Sequence, residues 1–225
     1  MSIPSHLGEY ARESRTDSKT AELLARQLRH HVRNVLHRMA VEIYRNPGLK
    51  SSSWGRESAE QLVSRLCQAA EVSDQLLGFH PDATSLADRL RSLGRSTVAA
   101  LGSPGQEIGL EVVVEADCPS VLCSILLRAA NEMIGNAVRH GMAERRAGRI
   151  EILVHESAER ELVLVVRDDG WGLPTLAFDG EGSELIRALA EPYCGKYTLR
   201  RYGDRTESIL TLPRRGRDPN TSSPA

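Results

Sequence analysis

Between residues 20 and 45, apolar side chains return every third or fourth position: Leu24, Leu28, Val32, Val35, Met39 and Ile43. At 100° per residue they fall in one stripe about 100° wide, which predicts an amphipathic helix. Asn46, Pro47 and Gly48 stop it, and the stretch from Gly48 to Gly55 reads as a loop. A second helix is predicted from about Glu57 to Leu77, with Leu62, Leu66, Ala69 or Ala70, Ser73 and Leu76 on one side. Gly78, His80 and Pro81 end it. A lone helical hairpin leaves its apolar face half wet, and pairing two hairpins into a four-helix bundle buries it. Residues 20–80 are therefore expected to form a homodimer.

From residue 82 the pattern turns to mixed α/β, in a unit expected over 81–213. Residues 84–101 read as a helix, Ile108 to Glu115 as a strand, and Ser120 to His140 as a long helix capped by Gly141. Arg149 to His155 and Glu161 to Arg167 read as strands around a turn, 183–191 as a helix, and Lys196 to Arg201 with Glu207 to Leu212 as a closing hairpin. Strands forming one sheet with three helices opposite give a two-layer α/β sandwich, so the chain is of the α+β class. Residues 1–19 are polar without periodicity and read as a flexible arm. Residues 214–225, rich in Pro, Ser, Asn and Arg, read as a disordered tail.

Composition narrows the field only slightly. The net charge of -1 over 225 residues gives no bulk basic character for nucleic acid. No apolar run approaches the roughly 20 residues of a membrane span, and the N-terminus has no apolar secretory segment. Cys67, Cys118, Cys123 and Cys194 form no C-x-x-C pair, so they fit scattered thiols in a reducing compartment better than a disulfide framework or zinc site. A cytoplasmic location is expected.

The chemistry concentrates between Asn131 and Pro174. In NEMIGNAVRHG, the residues Glu132, Asn136 and His140 are four apart and share one helix face. A carboxamide there can ligate Mg2+ through its oxygen while Arg139 and His140 meet phosphate. DDGWGLP follows two strands; a carboxylate at a strand end, Asp168, can accept from an exocyclic amine. Gly170 and Gly172 let backbone lie against a flat ring. Gly180 and Gly182 stand where a helix begins, where backbone amides can approach phosphates. Trp171 is bulky and is expected to pack, because exposed Trp is uncommon.

The order of these pieces resembles the ATP-binding domain of the GHKL superfamily (gyrase, Hsp90, histidine kinase, MutL). NEMIGNAVRHG looks like its asparagine box, DDGWG like its first glycine box and GEGSELIRAL like its second. The resemblance implies that Asn136 binds Mg2+, Asp168 the adenine amine, that Gly170 and Gly172 line the adenine, and that Gly180 and Gly182 belong to the lid. Only Leu173 to Asp179 separate the two glycine boxes, so a small lid is expected. Length favours the kinase branch.

LRHHVRNVL in the first helix resembles the phospho-acceptor box of soluble histidine kinases of the HWE-type and related groups, with His30 as the acceptor. The helical wheel agrees. His30 lies about 180° from the centre of the apolar stripe and faces solvent. His31 sits at the stripe's edge as a packing or dimer residue, and His37 is read as decoration. An imidazole with a reference pKa of about 6.5 is nucleophilic at neutral pH. The family implies a protein-histidine kinase of two-component signalling that autophosphorylates on His30 with Mg-ATP and passes the group to an aspartate of a response-regulator receiver domain. No acid lies within one turn of His30, so Glu132 is a candidate carboxylate for it. No sensor domain is legible, and input is expected from a separate sensor protein or the arm. Two alternatives stand beside this reading: a histidine phosphotransfer protein of a phosphorelay, which does not use ATP, and an anti-sigma-factor serine kinase.

Overall fold

The computed structural model describes residues 6–77, 84–172 and 180–214. The end of the second helix at Gly78 to Pro81, the lid from Leu173 to Asp179, the tail beyond Arg214 and the first five residues of the arm lie outside the described residues. The chain forms two compact units, Met1–His80 and Pro81–Ala225.

The first unit is a helical hairpin: α1 (His6–Arg45), a short α2 (Pro47–Lys50) and α3 (Ser53–Leu77). Helix α1 begins at His6, so residues 6–19 are not a loose arm. The reason is propensity: Glu9, Ala11, Arg12, Glu13, Arg15 and Lys19 are good helix formers even without an apolar stripe. The Gly48–Gly55 stretch is likewise shorter as a loop than the sequence suggests. Asn46 caps a single turn, accepting from the Gly48 N–H at 2.9 Å, and α3 starts at Ser53. Along α1, Ala40 is buried, and Ala25, Arg29, Val32, Val35, Leu36, Val41 and Ile43 are half-buried. Leu24, Leu28 and Met39 remain exposed on the other part of the apolar stripe, at 58%, 51% and 47%. One α3 partner covers only half of what the stripe offers.

The second unit is a five-stranded sheet with three helices. In chain order it runs α4 (Leu86–Leu101), β1 (Glu107–Val114), α5 (Ser120–Asn136), β2 (Ala147–Glu156), β3 (Glu161–Asp168), α6 (Glu181–Ala190), β4 (Lys196–Tyr202) and β5 (Arg205–Pro213). The strand order is β1-β2-β3-β5-β4. Strand β1 runs parallel to β2, which requires the α5 crossover, and all other pairs are antiparallel. Ser85 starts α4 as its cap, accepting from the Asp88 N–H at 3.1 Å.

Helix α5 is the centre of the core. Leu126, Ala129, Ala130 and Ile134 are fully enclosed, with Met133 nearly so. They meet a row of strand residues set by the pleat: Ile150, Ile152 and Val154 on β2, Leu162, Leu164 and Val166 on β3, Leu210 and Leu212 on β5. The stretch Ser120–Gly141 is long and apolar enough by composition to cross a membrane, contrary to expectation; 61% of its most apolar 18-residue window is buried inside this unit. Its apolarity matches its place under the sheet.

Leu126→Ala is expected to cost about 2–5 kcal/mol in urea unfolding of the α/β unit. Val121→Ala on the same helix, at a position 59% exposed, should stay within about 0.5 kcal/mol.

Candidate functional site

Two clusters meet at the C-terminal end of α5. The first is built on the half-buried face of Glu132 and Asn136. The Thr97 hydroxyl of α4 donates to Asn131 Oδ1 at 3.0 Å, and Asn131 Nδ2 donates to Glu132 Oε1 at 3.3 Å. Arg139 Nη2 donates to Asn136 Oδ1 at 3.1 Å. The first turn of α6 lies against this row: a Cβ at Gly182 would sit 3.2 Å from Glu132 Oε2 and 3.4 Å from Asn136 Nδ2. Gly180 is the N-cap of α6, and its carbonyl accepts from the Ser183 and Glu184 N–H groups. The start of α6, whose first backbone N–H groups have no partner within the helix, therefore stands beside the Glu132 carboxylate and the Asn136 carboxamide.

The second cluster surrounds Asp168. Residues 162, 164, 166 and 168 share the helix-facing side of β3, so the pleat carries a carboxylate onto the core face at the strand's end. Asp168 is only 6% exposed. Burial pushes its carboxyl up to about 6, reinforced by the neighbouring Asp169 and opposed by the Gly170 N–H and Arg145. The Gly170 N–H donates to Asp168 Oδ1 at 3.0 Å.

The two clusters are joined by a wider turn. Gly141 does not cap α5 as expected; after Asn136 the chain makes a π turn, Ala137–Gly141, closed by Met142 N–H to Ala137 O at 2.9 Å. This brings Gly141 onto the Asp168 loop. A Cβ on Gly141 would collide with the Asp168 carboxylate, and one on Gly170 would collide with the Gly141 carbonyl. The Trp171 N–H then donates to Gly141 O at 3.0 Å. His140 and Arg139 are exposed at this turn.

Trp171 corrects another expectation, being 68% exposed rather than packed. Its indole N–H donates to Ala143 O at 2.7 Å and the Arg145 guanidinium lies 5.6 Å from the ring centre, so a surface position is satisfied without a core. Gly172 has φ 85, a backbone that favours glycine, and Arg201 of β4 lies across it. Thr206 carries no motif signal, yet it pairs with Asp168 in the β3–β5 register and is buried beside it. Cross-strand register, absent from the linear sequence, is what reveals it.

In the hairpin unit, His30, His31 and His37 are all exposed. His31 is exposed and lies on the open side of the stripe with Leu24, Leu28 and Met39. Arg33, one turn on from His30, forms an ion pair with Asp74 of α3, and Arg29 donates to Leu77 O at 3.4 Å. Asp74 is thus a carboxylate one turn on from the candidate acceptor His30, contributed by α3, which reading along α1 alone does not find. Among the described residues, no three His, Cys, Asp or Glu side chains form a ready metal cage.

This architecture has solved counterparts. The histidine kinase domain of the Erythrobacter litoralis EL346 blue-light activated histidine kinase superposes with a TM-score of 0.52 at 17% identity, over 80% of this chain and 95% of that one. The longer EL346 kinase gives 0.53 at 19% identity, over 86% of this chain and 59% of that one. The fold is that of a histidine kinase domain: a helical N-terminal region followed by a mixed five-stranded sheet with helices. In sequence, the chain is similar to the sensor histidine kinase PdtaS of Mycobacterium tuberculosis, 29% identical over 206 residues, 85% of this chain and 40% of that protein. PdtaS of Mycolicibacterium smegmatis is 29% identical over 175 residues, 73% of this chain and 34% of that protein. The chain thus spans about 40% of the length of the curated relatives it matches. No family model matches it.

The raised carboxyl of Asp168 has a sign that can be checked. Its folded pKa, about 6, exceeds the ordinary 3.8, so its contribution to stability is complete below 3.8 and is lost as pH rises through 6. Asp168→Asn, neutral at every pH, should therefore stabilise the α/β unit relative to wild type at pH 7–8 by roughly 1–3 kcal/mol, with the difference shrinking on acidification. Urea titrations of both proteins across that window read it directly.

Proposed function

We propose that this chain is a protein-histidine kinase that binds Mg-ATP in its α/β unit and transfers the γ-phosphoryl group to His30. The observation that carries the reading is the convergence of Asn136, Glu132 and the N-terminus of α6 on one side of the π turn, with buried Asp168 and Gly170 on the other. The hard oxygens of Asn136 and Glu132 suit a hard cation that keeps most of its ligands from phosphate and water. Bound there, Mg2+ supplies charge neutralisation for the triphosphate.

The protein's own groups have distinct tasks in this reading. Asp168, once ionised, accepts from the exocyclic amine of adenine, with Thr206 beside it. Gly170 and Gly172 leave room for the ring, and Trp171, pinned at the surface, stands at the same loop. Gly182 has no side chain, which leaves the start of α6 free to approach the phosphates, with Gly180 beside it. Arg139 and His140 add positive and hydrogen-bonding groups on the exposed turn. The imidazole of His30 attacks the γ-phosphorus in line, the bond to the bridging oxygen breaks, ADP leaves, and the imidazole proton passes to a carboxylate, for which Glu132 is the candidate. Catalysis of this kind is mainly positioning and electrostatics.

The resulting phosphoramidate suits onward transfer to an aspartate of a response-regulator receiver domain in the cytoplasm. The exposed half of the α1 stripe supports a homodimer through residues 20–80, with Leu24, Leu28 and Met39 buried between copies. A separate sensor protein is the expected source of input.

Incubation with γ-labelled ATP and Mg2+ should give an acid-labile label. His30→Gln should abolish it, and Asn136→Ala should lower it by roughly 100-fold or more. Acid-stable label would instead indicate a serine kinase, and no label with intact phosphate relay would indicate a phosphotransfer protein. Asp168→Asn should weaken nucleotide binding by roughly 10- to 100-fold, and wild-type binding should fall as pH drops through about 6.

Leu28→Glu should convert a dimer to a monomer in sedimentation equilibrium. A wild-type chain that sediments as a monomer at micromolar concentration would contradict the bundle.

A further inference from the structure

The N-terminal end of α5 carries two thiols in a particular relation. Pro119 is the N-cap and Ser120 the first helical residue. Cys118 therefore occupies the position before the cap, and Cys123 is the fourth residue of the helix. These are the two positions of a hydrophobic staple, whose apolar side chains often pack against each other across the first turn. The Cys123 N–H donates to Pro119 O at 3.0 Å and closes that turn. Cys123 Sγ lies 3.4 Å from Cys118 O, and Cys118 Sγ 3.5 Å from Pro119 O. Both sulfurs thus lie at the same first turn of α5, each against a backbone carbonyl of residues 118–119.

Their surroundings differ from those of the other cysteines. Cys123 is 8% exposed and Cys118 is half-buried, whereas Cys67 and Cys194 are exposed. Arg89 of α4 and Arg214 after β5 carry positive charge toward the pair. Arg89 Nε is buried and makes no hydrogen bond among the described residues. Arg214 is anchored, donating to Asp117 O at 2.5 Å and to Glu156 at 2.6 Å. The hydrogen bond from Cys118 lowers the Cys123 thiol to about 7, against burial and with help from Arg89, while Cys118 is pushed up. A start-of-helix position favours thiolate in the same sense.

We propose that Cys118 and Cys123 form a reversible disulfide in response to hydroperoxides. The Cys123 thiolate attacks one peroxide oxygen; the O–O bond breaks, and the departing hydroxide or alkoxide takes a proton to leave as water or alcohol. Cys123 is now a sulfenic acid. The sulfur of Cys118 attacks it; an S–S bond forms, the S–O bond breaks, and water leaves with the proton of Cys118. Peroxide is the oxidant and is reduced by two electrons, and the two thiols supply them. The pair lies at the opposite end of α5 from Asn136, thirteen residues or about 20 Å away, so the modification is independent of the nucleotide reading.

The test uses the reduced full chain treated with hydrogen peroxide, alkylated and cut with trypsin. Residues 96–128 form one peptide containing both sulfurs. The expected product is that peptide unalkylated and lighter by two hydrogens, restored by dithiothreitol, appearing before Cys67 or Cys194 is oxidised. Cys118→Ser should trap Cys123 as a sulfenic acid captured by dimedone. Cys123→Ala should leave Cys118 open to alkylation, with circular dichroism confirming that both variants fold. The proposal is overturned if the wild-type peptide still takes two alkyl groups after Cys67 and Cys194 have reacted. It is equally overturned if Cys118 or Cys123 is found joined to either of those instead.

Discussion

The candidate site depends on one close approach of backbone to backbone. Gly141, at the end of the π turn, lies so near Asp168 and Gly170 that neither glycine can carry a β-carbon. The Trp171 N–H to Gly141 O bond fastens the contact. Without it, the helix bearing Glu132 and Asn136 and the strand bearing Asp168 would be separate pieces of secondary structure. With it, a carboxylate is sealed at the rim of the core, and the desolvation that raises its pKa follows from the same geometry.

Much of this was legible in the sequence because the constraints are local. The four-residue spacing of Glu132, Asn136 and His140 fixes a helix face, and glycines flanking Asp168 mark backbone that must approach something closely. The two strands around residues 157–160 and the closing hairpin are set by alternation and turn residues. What escaped the sequence was set by contacts distant along the chain. The extra residue in the π turn serves the packing of Gly141 on Asp168, and nothing in VRHG announces it. Thr206 becomes part of the site only through β3–β5 register. Trp171 stays at the surface because Ala143 O and Arg145 are there to receive it.

The hairpin shows the complementary case, in which the pattern is clear but part of it stays uncovered among the described residues. The stripe on α1 is wider than α3 can cover, and the uncovered portion is apolar. A contiguous exposed apolar patch of this kind marks an interaction surface. The same helix presents His30 away from that stripe, so the requirement to be buried and the requirement to be accessible are met by different faces of one element. An ion pair between Arg33 and Asp74 links the two helices across the hairpin.

Helix α1 runs unbroken from His6 to Arg45, forty residues or about 60 Å. Pro4 and Pro47 lie outside it, and no proline interrupts the span between. Sharp kinks in helices need a proline, a π bulge or a comparable defect. A helix without one acts as a shaft: torque applied at its first turn arrives at residue 30 as rotation and is not absorbed along the way. The imidazole of His30 shares one rigid rod with the helix's first turn.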